Sequence, residues 1–147
     1  MRYRETGQVH MDFHRTTNGT IAWLRQRYGV EMVDEVLRRT AQDVYRAIRD
    51  DLMAGNPEHL VEHWTYFLER EGGEFTVERA GDEIRVVVHR CPAADYLLRK
   101  GIALDEAFRR QTTVLNAALC EGTPFEIETE VLDDRRYIET VRRRRRP

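Results

Sequence analysis

The chain has 147 residues and sets 24 Lys and Arg against 26 Asp and Glu, a formal net charge of −2. Hydrophobic residues at 41% and charged residues at 34% describe one globular domain over residues 1–147 and exclude a disordered chain. Near-neutral charge gives no general pull toward nucleic acid or anionic lipid, and no run of about 18 apolar residues offers a membrane span.

The opening, Met1–Gly7, lacks the apolar core of an export signal, so the expected compartment is the cytoplasm. There Cys91 and Cys120 are expected as two reduced thiols.

Residues 8–28 fit an amphipathic helix in which Phe13, Thr17, Ile21, Leu24 and Tyr28 recur at helical spacing before Gly29. His10 and His14, an i, i+4 pair, extend that stripe backward and are expected to face inward. A second helix is predicted over 30–54, with Val33, Leu37, Ala41, Val44, Ile48 and Leu52 on one side and Gly55 closing it. The two long helices also offer a surface for a homodimer. Asn56-Pro57-Glu58 then reads as cap, first-turn proline and acidic first turn of a third helix ending near Glu71. It carries Leu60, Trp64, Phe67 and Leu68, and a second pair, His59 and His63, of which His63 borders the apolar stripe.

Glu74–Arg79 and Glu83–Arg90 alternate as strands around the turn Ala80-Gly81-Asp82. The second runs straight into Cys91-Pro92, where proline suits a first helical turn and Cys91 falls at a helix N-terminus. Backbone N–H groups and the dipole there favour a thiolate, and strict alternation sets His89 on the same face as Cys91. The alternative is a buried thiol that only fills space.

A short helix then ends at Gly101, and Asp105 is expected to cap a longer one reaching about Glu121. Cys120 in its last turn is read as structural. Phe125–Leu132 and Tyr137–Val141 form a closing strand pair, with Phe125, Ile127, Thr129 and Val131 inward. Residues 142–147, with five consecutive arginines, are expected as a solvated basic tail; without aromatic interleaving they give little reason to expect nucleic acid. The predicted class is α+β, a helical first half and a four-stranded antiparallel sheet, in the order ααα-ββ-αα-ββ.

The chemistry-bearing residues fall in three places: His10 with His14, His59 with His63, and His89 with Cys91. His10, His14 and His63 are a candidate set for zinc or another divalent metal if their helices converge. Neither HxxxH carries the glutamate of the HExxH motif, and structural histidines are the alternative.

Three features together resemble the L-2-amino-thiazoline-4-carboxylic acid hydrolase family: the His10-Met-Asp-Phe-His-Arg15 stretch, the strand ending His89-Arg-Cys-Pro-Ala93, and the closing hairpin. That family is similar in layout to V4R and haem-NO-binding domains. Its second cysteine, on the C-terminal hairpin, has Asp133-Asp134-Arg135-Arg136-Tyr137 in its place here. The resemblance implies a hydrolase acting on a C–N bond of a small cyclic amidine or a related carboxylated nitrogen compound. Cys91 would then be nucleophile, with His89 or His14 moving protons, or a histidine-bound metal would supply hydroxide. Arg85 or Arg90 would hold the carboxylate and Trp64 would contact the substrate. The competing expectation is a non-enzymatic binding module for a small molecule or metal.

Overall fold

The computed structural model describes residues 9–144. Among them lie α1 (Phe13–Tyr28), α2 (Val30–Asp43), α3 (Arg46–Met53), α4 (Glu58–Arg70), β1 (Glu74–Ala80), β2 (Glu83–Arg90), α5 (Pro92–Arg99), α6 (Arg110–Leu119), β3 (Phe125–Val131) and β4 (Tyr137–Arg143). The α+β class is the one expected. The four strands are antiparallel in the order β1-β2-β4-β3, so the last strand of the chain sits inside the sheet.

Register defines the covered face of that sheet. Val88 lies opposite Tyr137, Val86 opposite Glu139 and Ile84 opposite Val141. All six are buried. The helices cover this face and supply Leu52, Leu60, Leu97 and Leu119, and the turn before α6 supplies Phe108, each fully buried and each worth about 1.5–3 kcal/mol of burial. The opposite face carries ion pairs such as Arg85–Glu78 and Arg142–Glu126.

The structure departs from the periodicity reading at four points. The predicted second helix breaks at Val44–Tyr45, where the N–H groups of both residues turn to the Thr40 carbonyl. Thr40 also back-bonds to the Val36 carbonyl at 2.8 Å, a contact that bends helices. The inward face of α1 is His14, Asn18 and Ile21, rotated by about one residue from the predicted stripe, and Phe13 and Tyr28 are exposed. Asn18 explains the rotation: it donates to the Ala103 carbonyl at 3.1 Å and accepts from the Asp105 N–H at 2.9 Å.

Asp105 does cap, accepting from the Ala107 N–H at 2.9 Å, but it caps a turn, and α6 begins only at Arg110. Lastly, β4 runs into the arginine run. Arg142 pairs with Glu126, Arg143 donates to the Gly55 carbonyl, and Arg144 donates to the Phe125 carbonyl. The first three arginines thus belong to the fold, while 145–147 of the expected tail lie outside the described residues.

The junctions around α4 and α5 follow the sequence closely. Gly55 takes φ +88°, the left-handed conformation a helix end uses, and the Asn56 side chain accepts from the Glu58 N–H at 3.0 Å. Pro92 opens α5 with Cys91 as its cap residue.

Candidate functional site

A cavity of about 300 Å³ opens between the helices and the covered face of the sheet. Its wall draws on α1 (His14), α4 (His63, Trp64, Phe67), the β2–α5 junction (Cys91), the segment before α6 (Arg109) and β4 (Tyr137, Glu139). That size and a mainly apolar wall with a few converging polar groups suit a small organic ligand.

How Cys91 reaches the cavity is a matter of register. Glu74 pairs with Arg90 but Phe75 pairs with Val88, so His89 is an extra residue, a bulge on β2. A bulge reverses the parity of the residues after it. Cys91 therefore turns to the covered side, 7% exposed, with its N–H donating to the Arg135 carbonyl at 2.8 Å. His89 is exposed on the other face, 3.3 Å from the Thr76 hydroxyl. The expected His89–Cys91 pair is not formed, because strict alternation does not survive the bulge.

His14 takes the place beside the thiol's cavity. Its Nε2 donates to the Glu71 carboxylate at 2.9 Å, with both side chains at least nine-tenths buried. That bond fixes the orientation of the ring. His10 lies on the turn before α1, exposed and outside the cavity wall, because the helix starts at Phe13 and the i, i+4 relation has no helix to act through. His63 lines the cavity, and burial, with a smaller push from His59, holds its imidazole down at about 4 and hence neutral near pH 7. His59 is half-buried outside the cavity wall, 2.6 Å from Asp51. The set His10, His14 and His63 is thus not assembled. Among the described residues no three His, Cys, Asp or Glu side chains are grouped to hold a metal ion.

Trp64 is in the wall as expected. The two candidate anchors are not. Arg85 pairs with Glu78 on the uncovered sheet face, and Arg90 with Glu74 and Asp95 at the sheet end. Strand parity sends Arg85 outward.

The cation that does reach the cavity is Arg109. Its guanidinium lies 5.4 Å over the Tyr137 ring, with Nη1 3.9 Å from Cys91 Sγ. Nη2 is held by the Asp133 and Asp134 carbonyls of the β3–β4 turn. Its Nε–H is buried with no hydrogen-bond partner among the described residues.

Glu139, 3% exposed, is another residue the sequence reading missed. Asn116 donates to one of its oxygens at 2.9 Å. Burial raises its carboxyl to about 7, partly opposed by that hydrogen bond. Tyr137, two residues earlier on the same face, is pushed well above its ordinary range, chiefly by burial and then by the Glu139 and Cys91 charges. A signal for Glu139 was present: in Tyr137-Ile-Glu-Thr-Val141 the glutamate has the parity of the buried Tyr and Val. Nothing local marks Arg109, whose neighbour Arg110 points away to Asp34.

Cys120 is buried at the end of α6, and burial lifts its thiol to about 11. No helix among the described residues is long and apolar enough to cross a membrane. No protein-family model matches the chain, and no curated protein matches it either.

Proposed function

We propose that the cavity binds and hydrolyses a small carboxylated nitrogen compound, opening a C–N bond of a cyclic amidine or related amide, in the cytoplasm. The observation that carries this reading is the convergence of Cys91, the His14–Glu71 pair and Arg109 on one cavity. The resemblance of the His89–Ala93 segment and the first helix to the amino-thiazoline carboxylate hydrolases supplies the reaction class.

Each group then has a role. Cys91 sulfur adds to the C=N or C=O carbon, and its proton passes to His14 Nδ1, with Glu71 stabilising the imidazolium. His14 then returns that proton to the leaving nitrogen as the C–N bond breaks, leaving a thioimidate or thioester on Cys91. Water, deprotonated by the same imidazole, adds to that carbon. The C–S bond breaks and the thiol is restored. Arg109 holds the carboxylate through its guanidinium. Trp64 and Phe67 exclude bulk water, which strengthens each polar contact. No step needs a metal.

Incubation with 2-amino-thiazoline-4-carboxylate and related cyclic amides, followed by product analysis, tests the proposal. Turnover is expected in the wild type and its loss in Cys91→Ala, with ligand binding retained. Turnover unchanged in Cys91→Ala overturns the nucleophile. Tight binding without turnover of any compound would identify a binding module instead.

A further inference from the structure

We infer that Glu139 anchors a cationic nitrogen of the ligand, so that the cavity selects small zwitterions with an amidinium or ammonium at one end and a carboxylate at the other. The inference rests on the cavity being the ligand site proposed above. Three observations carry it.

First, Glu139 is a cavity-lining carboxylate with no cation to neutralise it. Its cross-strand neighbours are Val86 and Thr129. Among the described residues it has no ion pair, and its one hydrogen bond, from Asn116, occupies Oε1 alone. Folded chains seldom bury a carboxylate in an apolar layer without a partner, because desolvation costs several kcal/mol. A cavity beside it is a place for a ligand to supply one.

Second, Asn116 is itself held. Its amide sits between Glu139 and the Thr129 hydroxyl, 3.3 Å away, so the carboxylate is fixed in orientation with its second oxygen left to accept. A planar amidinium presents N–H donors in the geometry a carboxylate accepts.

Third, the opposite charge lines the same cavity. Arg109 stacks on Tyr137, and Tyr137 and Glu139 are alternate residues of β4 facing the same side, about 7 Å apart along the strand. A five-membered ring with its two charged groups on opposite sides would turn one toward each residue. Cys91, near the Arg109 guanidinium, would stand beside such a ring.

Calorimetric titration of Cys91→Ala protein separates this from the hydrolytic proposal, because it reads binding without chemistry. Three probes are used: 2-amino-thiazoline-4-carboxylate with both charges, 2-amino-thiazoline with the cation alone, and thiazoline-4-carboxylate with the anion alone. The zwitterion is expected to bind at least about tenfold tighter than either. In the same background E139Q should weaken the two cationic probes about tenfold or more and leave the anionic one within about twofold. An equal loss for all three probes, no loss for any, or no binding of either cationic probe overturns the assignment. If E139Q does not fold, the ranking with Glu139 intact decides: an anionic probe that binds as tightly as the zwitterion overturns it. A protein that ranks the probes as expected yet hydrolyses none loses the hydrolase reading and keeps this one.

Discussion

Replacing Glu139 by glutamine should change how stability depends on pH, and the direction follows from the burial of two groups. The Glu139 carboxyl sits at about 7 in the fold against an ordinary 4.5. A raised carboxyl binds its proton more tightly folded than unfolded. Its contribution is therefore fully present below about pH 4.5 and is lost as pH rises through about 7, in all about 3 kcal/mol. His63 works in the opposite sense. Its imidazole is held at about 4 against an ordinary 6.5, so the fold resists protonation and loses about 3 kcal/mol as pH falls through that interval. Where the two intervals overlap, the slopes cancel, and this part of the wild-type profile should be nearly flat between about pH 4.5 and 6.5. E139Q removes one arm. Its stability should climb with pH through that range, following His63. Urea unfolding of both proteins from about pH 4.5 to 8 measures the difference, in which other titrating groups drop out. The variant should gain on the wild type by about 3 kcal/mol across that span and level off above it. A difference that stays constant within about 0.5 kcal/mol refutes both the burial of the charge and the reasoning built on it.

Small alkylating reagents should modify Cys91, which borders the cavity, well before Cys120, whose buried thiol ionises only near 11; mass mapping of the labelled peptides reads the order, and Cys120 first would contradict it. His14→Ala strands the buried Glu71 carboxylate and should cost about 1–3 kcal/mol in denaturant unfolding together with most of the turnover. Gly73→Ala should destabilise by about 1–3 kcal/mol, since an added Cβ would stand 3.0 Å from both the Leu68 carbonyl and the Pro92 ring and 3.2 Å from the Arg90 carbonyl. Turnover should survive dialysis against a chelator; restoration by added zinc alone would return the metal to the mechanism.

Much of the architecture was legible because it follows local rules. Period-2 alternation gave the four strands, and Gly55, Asn56-Pro57 and Cys91-Pro92 marked helix ends with groups that act there. What was illegible depends on contacts between distant segments. The rotation of α1 comes from Asn18 meeting residues 103–105, a pairing no helical wheel contains. The bulge at His89 lies in the pairing of β1 with β2, and it parted His89 and Cys91, expected on one face, to opposite sides. Of the candidate site, Cys91, His14, His63 and Trp64 share the cavity, while His10, His89, Arg85 and Arg90 do not. The chemistry that was missed, Glu71, Arg109 and Glu139, consists of charged residues in a chain rich in them. Only tertiary burial distinguishes them from solvated neighbours.

The position of β4 sets a timetable for the site. β4 is the last strand, yet it lies between β2 and β3 and contributes both Tyr137 and Glu139. As the chain emerges from the ribosome, helices α1 to α4 and the β1–β2 hairpin are available long before it. Until it inserts, β2 presents an unpaired edge of Ile84, Val86 and Val88, a surface open to wrong partners. Cys91 is likewise without the Arg135 carbonyl that takes its N–H. The cavity is therefore completed only once β4 has emerged, and a chain stopped short of Tyr137 would carry Cys91, His14 and an exposed strand edge with no cavity to hold them.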